Sequence, residues 1–128
     1  MVSTSKVAEY KLAAALLERG LLPLWPSTAE CSFDLAVASA SRILRVQVKG
    51  TKAIGPTIKV TTAMIKAGKP SRYTKDDIDV LAIYLSVEDL WYFIPVKTSH
   101  PRTTSLKPFN RNCPWAGYQE AWRYLGAP

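Results

Sequence analysis

The run Ile43–Gly50 constrains the fold of this 128-residue chain more than any other segment. Leu44, Val46 and Val48 alternate there with Arg45, Gln47 and Lys49, and a strand sends successive side chains to opposite faces. The pattern predicts a strand with one apolar face and one face carrying a guanidinium, an amide and an ammonium. Phe33–Val37 reads as its hairpin partner across a short polar link, with Asp34 on the side of Ala36 and Ala38 and with Phe33 and Leu35 burying the other side. Farther on, Val80–Leu85 is an almost continuous apolar run, which predicts a strand buried on both faces. Together these segments predict a mixed α/β chain with a central sheet flanked by helices.

The remaining punctuation completes that outline. A helix is predicted from about Ser5 to Arg19, capped by Thr4 or Ser5 and ended by Gly20. Glu9, Leu12, Ala13 and Leu16 share one of its faces. Short strands follow at Leu22–Trp25 and, after the Gly55-Pro56 turn, at Thr57–Thr61. Met64–Tyr73 reads as a loop, Trp91–Val96 as a strand, and Thr98 to Pro114 as irregular. A last helix is expected from Pro114, with Trp115, Tyr118, Trp122 and Leu125 as its apolar face. No linker divides the chain, so residues 1–128 read as a single domain.

Composition excludes several classes. Hydrophobic residues make up 48% of the chain, enough for a core. No apolar run reaches the roughly 20 residues of a membrane span, and the start carries no export signal, so a cytoplasmic location is expected. Cys31 and Cys113 stand far apart and read as reduced thiols; with His100 as the single histidine, they offer no zinc site. The net charge is +7, and its distribution says more than its size. Between Leu35 and Lys75 there is no Asp or Glu, while Arg42, Arg45, Lys49, Lys52, Lys59, Lys66, Lys69, Arg72 and Lys75 all fall there. Segregated cations of this kind suit a polyanion, because neutralising phosphates releases condensed counterions. The plainer alternative is surface charge that keeps the chain soluble.

The hairpin can bring the Asp34 carboxylate, the Gln47 amide oxygen and the Lys49 ammonium side by side. Mg²⁺ takes oxygen ligands and keeps several waters, so one or two side-chain oxygens and a backbone carbonyl suffice for a site that cuts a phosphodiester. A nearby lysine can orient the attacking water and stabilise charge that develops on phosphate. Against this stand simpler roles: Asp34 capping a turn or pairing with Arg45, Lys49 as a solvated strand lysine, and Glu9 as a rim residue pairing with Lys6. Asp76, Asp77 and Asp79, just before a buried strand, read as turn chemistry and not as a metal cluster. His100 shows no partner for general-base work, and Cys31 has no histidine near it in sequence.

Asp34 followed by Gln47-Val48-Lys49 resembles the PD-(D/E)XK nuclease motif. The stretches FDLAVASASRILRVQVKGT, SRYTKDDIDVLAIYL and WYFIPV are similar to one branch of that superfamily, the small group I intron homing endonucleases. With the first helix, the resemblance covers most of residues 5–96. Two positions depart from the common pattern: Gln47 stands where an acid is usual, as is known in this branch, and Phe33 stands where proline often precedes the first acid. The resemblance implies a restriction-endonuclease-like core and Mg²⁺-dependent DNA cleavage, with Asp34, Gln47 and the Val48 carbonyl holding metal. It implies Lys49 acting on the water and Glu9 completing the site. It also places Arg72, Tyr73 and Thr74 beside the active site, so that Lys52, Lys59, Lys66, Lys69, Arg72, Tyr73 and Lys75 become the candidate nucleic-acid contacts. A homodimer or homotetramer on double-stranded or branched DNA is expected. Holliday junction resolvases share this chemistry, and a catalytically inactive DNA-binding relative would share the fold.

Overall fold

The computed structural model describes residues 2–97 and 100–127; Met1, Pro128 and, within the predicted irregular tail, Thr98 and Ser99 lie outside them. Helix α1 spans Thr4–Glu18. Its N-cap is Ser3, whose hydroxyl accepts from the Lys6 N–H at 3.0 Å, one residue before the expected cap. Ser5 is thereby released for a tertiary role: its Oγ accepts from the Gly50 N–H at 3.0 Å. Gly20 ends the helix region with φ of 76°, a left-handed value that glycine adopts without strain. Glu9, Leu12, Ala13 and Leu16 are all buried, as the helical spacing predicts.

Five strands form the main sheet: β1 (Leu22–Leu24), β2 (Leu35–Ala38), β3 (Ile43–Thr51), β7 (Val80–Leu85) and β8 (Leu90–Pro95), in that spatial order. β2 and β3 form the predicted hairpin, with Leu35 opposite Val46 and Ala38 opposite Ile43. β3 and β7 run parallel, from Val46 opposite Val80 to Thr51 opposite Leu85. A parallel pair needs a long crossover, and here the crossover carries β4 (Ile58–Thr61), β5 (Ala63–Lys66) and β6 (Lys69–Arg72). Two cores result. On the α1 side Leu12, Leu16, Val46, Val48, Ala82, Tyr84 and Phe93 pack together; on the other side Ile58, Val60, Leu81, Ile83, Tyr92, Ile94 and Leu106 do. β7 alternates between them, which is why its run is apolar throughout. Among the described residues no helix is long and apolar enough to cross a membrane.

Four expectations are corrected. Met64–Tyr73 is not a loop but the hairpin β5–β6, turned by Ala67 and Gly68 with φ of 51° and 76°; two consecutive positive φ angles suit a tight two-residue hairpin turn. The stretch after Thr98 contains β9 (Thr103–Leu106), which pairs with β4 in a separate two-stranded sheet. The C-terminal helix is replaced by two 3₁₀ turns, Ala116–Tyr118 and Trp122–Leu125. Between them Gln119 bridges to Tyr92, the Glu120 N–H donates to the Trp91 carbonyl at 2.8 Å, and the Trp91 N–H donates to Glu120 Oε2 at 2.7 Å. The segment covers the open edge of β8, an edge that would otherwise offer unpaired backbone groups. Its aromatic residues divide accordingly, Trp115 and Tyr118 packing on one core and Trp122 on the other. Finally, Phe33 and Leu35 do not share a face: Leu35 packs on the α1 side and Phe33 on the opposite one, because β2 begins only at Leu35.

Candidate active site

The site is built where β2 leaves β3. The Asp34 N–H donates to the Val46 carbonyl at 2.9 Å, and Asp34 Oδ2 then accepts from the Val48 N–H at 2.8 Å. The carboxylate thus takes the place of the next backbone acceptor on that edge of β3. Two residues on, the Gly50 N–H is taken by Ser5 of α1. In an antiparallel ladder a residue's N–H and C=O point to the same neighbour, so the Val48 carbonyl also lies on the Asp34 edge. α1 approaches β3 so closely that a Cβ at Gly50 would stand 2.8 Å from the Thr4 carbonyl oxygen and 3.2 Å from the Ala8 Cβ. That contact seats Glu9, one turn beyond Ser5, over the same edge.

Lys6, Glu9, Cys31, Phe33 and Asp34 line one cleft of about 310 Å³. Gln47 and Lys49 stand on the opposite face of β3 from Val46 and Val48, both half-buried. The Lys49 ammonium is 6.0 Å from the centre of the Tyr73 ring. The acids are poorly compensated. Burial pushes the Asp34 carboxyl above its ordinary range, against the Val48 hydrogen bond and the charges of Lys49 and Lys6. Burial and the charge of Asp34 likewise raise Glu9, although Lys6 reaches it at 3.2 Å. Lys6 therefore sees a firm partner in Glu9, yet for Glu9 desolvation and Asp34 outweigh Lys6. Tyr73 is pushed up to about 12 by burial, with Asp34 and then Asp77 adding to it. Asp34 and Glu9 are desolvated carboxylates in one cleft, with the Val48 carbonyl on the same edge, and such oxygen donors fit a hard cation such as Mg²⁺; Gln47 is not among the residues lining that cleft. Among the described residues no three His, Cys, Asp or Glu side chains cluster; the set holds two acids.

Glu9 pairs with Lys6 at 3.2 Å and shares the cleft with Asp34, whose charge it feels. Arg45 is bonded to Asp79, through its N–H at 2.8 Å and its Nε at 3.2 Å, and so does not take up Asp34. Asp77 caps the turn at Thr74, accepting from its N–H at 2.8 Å and its hydroxyl at 3.1 Å. Lys52, Lys59, Lys66, Lys69, Arg72 and Lys75 are exposed, with Lys66 3.2 Å from Asp77. Tyr73 is only 7% exposed and packs in the core beneath the site, where it offers little surface to a phosphate. Sequence reasoning knew Lys6 only as a rim partner. Its place beside both acids follows from its position three residues before Glu9, and the helix period was the signal for it.

Comparison with known proteins bears on the family and the fold. A family profile described as PD-(D/E)XK endonuclease matches residues 3–125. Among solved structures, the bacterial homing endonuclease I-Ssp6803I is similar with a TM-score of 0.75 and 24% identity, over 96% of this chain and 91% of that one. Hjc of Archaeoglobus fulgidus, a Holliday junction resolvase from an archaeal hyperthermophile, is similar with a TM-score of 0.61 and 14% identity, over 98% of each chain. A search of curated proteins returned no match. The mixed central sheet carrying α1 has the restriction-endonuclease-like fold of these neighbours. With the profile spanning nearly all of its residues, the chain belongs to the PD-(D/E)XK endonuclease family.

Proposed function

We propose that the chain is a Mg²⁺-dependent endonuclease that hydrolyses phosphodiester bonds in DNA, in the manner of a homing endonuclease. The observation that carries this reading is the edge of β3, where Asp34 caps Val48 while standing beside Glu9 and Lys49. Asp34, Gln47 and the Val48 carbonyl would hold the ion, and Glu9 would complete the set through water or directly. When bound, the ion supplies Lewis-acid polarisation of the scissile phosphate. Lys49 orients the attacking water and meets charge that builds on the phosphate oxygens. Lys6 keeps Glu9 from repelling the incoming phosphate. The cations from Lys52 to Lys75 position the backbone without reading its sequence. Lys66 and Lys69 stand directly opposite each other at the tip of β5–β6, a like-charge pairing that an anion would relieve. Cutting both strands takes two such sites, so a homodimer or homotetramer is part of the reading.

The resolvase-like fold of Hjc favours branched DNA as the second reading. Plasmid, linear duplex and four-way-junction DNA, each incubated with Mg²⁺ and with EDTA, separate the two. Cleavage of duplex in Mg²⁺ alone supports the first, and cutting confined to the junction supports the second. Binding without cleavage in any metal would sink both and leave an inactive DNA-binding relative.

A further inference from the structure

A second cleft, of about 300 Å³, opens at the other end of the sheet, where β3 and β7 begin and β8 ends. Arg42, Lys75, Lys97 and Arg123 line it, against one acid, Asp79, with Tyr124 in its wall. That acid is already engaged, since Arg45 donates to it at 2.8 and 3.2 Å. Three ion pairs occur among the described residues, and none uses these four cations. Like charges gathered in one concave surface focus a positive potential that draws an anion. The Arg123 guanidinium lies 4.7 Å from the Tyr124 ring centre and donates to the Gly117 carbonyl at 3.4 Å and the Tyr124 hydroxyl at 3.5 Å.

We propose that this cleft is a phosphate-binding subsite that holds a backbone phosphate of the DNA away from the scissile bond. The inference rests on the nuclease reading above. It assigns Arg42, Lys97 and Arg123 to the DNA surface, none of which belongs to the Lys52–Lys75 track. A free phosphate and a DNA phosphate present the same oxygens to these donors, so the test has an arm for each.

The test uses the whole chain with Arg42→Gln, Lys97→Gln and Arg123→Gln combined. Binding to a labelled duplex is followed by fluorescence anisotropy across a salt series. One neutralised phosphate contributes about 0.9 to the log–log slope, so the triple variant should be shallower by about that amount. Cleavage at saturating DNA should stay within about twofold, because the subsite positions the backbone and does not touch the reacting atoms. Should the triple variant fail to fold, Lys97→Gln alone, at an exposed position, carries the same test with a shift of about 0.9 or less. In the second arm the Tyr124 ring resonances are followed by NMR. Duplex at its binding concentration should shift them, whereas inorganic phosphate should need a far higher concentration. An unchanged salt slope with cleavage intact overturns the subsite and leaves the nuclease reading standing. Tyr124 resonances that respond to inorganic phosphate but not to DNA overturn the DNA assignment. A wild-type chain that neither binds nor cuts DNA overturns both readings together.

Discussion

Two groups of carboxylates in this chain receive opposite treatment. Around the turn before β7, Asp77 accepts from the Thr74 N–H, the Thr74 hydroxyl and Lys66, and Asp79 accepts from Arg45 three times. Burial alone would push both up, but these hydrogen bonds and cations outweigh it and hold them below the usual carboxylate range. At the edge of β3, Asp34 accepts from one backbone N–H and Glu9 from one lysine, and burial holds both above that range. The first group is satisfied by the protein and shapes the fold. The second is left with desolvation and mutual repulsion, and perturbed groups of this kind in a cleft are candidates for a functional site.

The largest expected break in the comparison is catalytic. Asp34→Ala and Lys49→Ala should each lower Mg²⁺-dependent cleavage by a factor of about 10²–10³ or more, as loss of a charge-stabilising group does. DNA binding should largely survive, since other cations make most phosphate contacts. Gln47→Leu should join them, while Gln47→Glu should keep the fold and change the metal preference. Near wild-type cutting by the alanine variants, in a plasmid-nicking time course, would show that the β3 edge is not the site.

Asp79→Ala tests the other half. It leaves the Arg45 N–H and guanidinium without their carboxylate partner, in a place about a third exposed, so a loss of about 1–2 kcal/mol is expected in urea unfolding. Arg45 would keep its bonds to the Asp76 and Lys75 carbonyls, which limits the loss. The cleavage rate of the folded fraction should stay unchanged. A rate falling as far as in Asp34→Ala would make Asp79 part of the site and dissolve the distinction.

A smaller effect with a definite sign concerns pH. Asp34 binds its proton more tightly folded than unfolded, so its contribution weakens the metal-free fold as pH rises through the folded carboxyl's range. Asp77 and Asp79 act oppositely: their contribution is present above the unfolded pKa and is lost as pH falls through the folded one. Asp34→Asn, whose amide oxygen can still accept from Val48, should therefore be more stable than wild type at neutral pH without metal. The difference should shrink toward zero in acid below the ordinary range of the carboxyl. Mg²⁺ at about 100 times its Kd should add about 2.7 kcal/mol to wild type and far less to the variant. A variant less stable than wild type at neutral pH would mean that the Val48 hydrogen bond and Lys49 outweigh burial after all.

Much of this arrangement was legible in the sequence, for particular reasons. Period-two alternation gave the faces of β3, an unbroken apolar run gave β7, and helical spacing put Glu9 among Leu12, Ala13 and Leu16. These signals are written in neighbouring residues. The misreadings fall where the deciding partner is distant. β9 forms because β4 lies beside it, and Thr103–Leu106 carries too few apolar residues to announce a strand. The stripe Trp115, Tyr118, Trp122 and Leu125 fits a helix, but the open edge of β8 recruits Gln119 and Glu120 and divides the stripe between two cores. At the candidate site, the pairing that sets Asp34 against Val48 was readable from the hairpin. The closeness of Glu9 to Asp34 was implied only by the resemblance, because it depends on the contact that Gly50 permits between α1 and β3. The β5–β6 hairpin is a different case: Ala67-Gly68 is a local turn signal, obscured by Pro70 in the strand that follows.

The smallest effect expected belongs to Lys66, which stands between the two groups. Its ammonium is 3.2 Å from Asp77 while its side chain is 46% exposed, and its backbone sits opposite Lys69 in the hairpin. An exposed ion pair is worth about 0–1 kcal/mol, and removing Lys66 also removes a like-charge neighbour from Lys69. The two terms oppose each other, so Lys66→Ala should change stability by less than about 0.5 kcal/mol. In DNA binding, however, Lys66 must choose between Asp77 and a phosphate. Lys69→Ala should therefore lower the log–log salt slope by about 0.9, and Lys66→Ala by distinctly less. Equal slopes would mean that the Asp77 pair opens freely on DNA. A loss above about 1 kcal/mol in Lys66→Ala would instead place Lys66 with Arg45, as a cation whose work is to hold the turn.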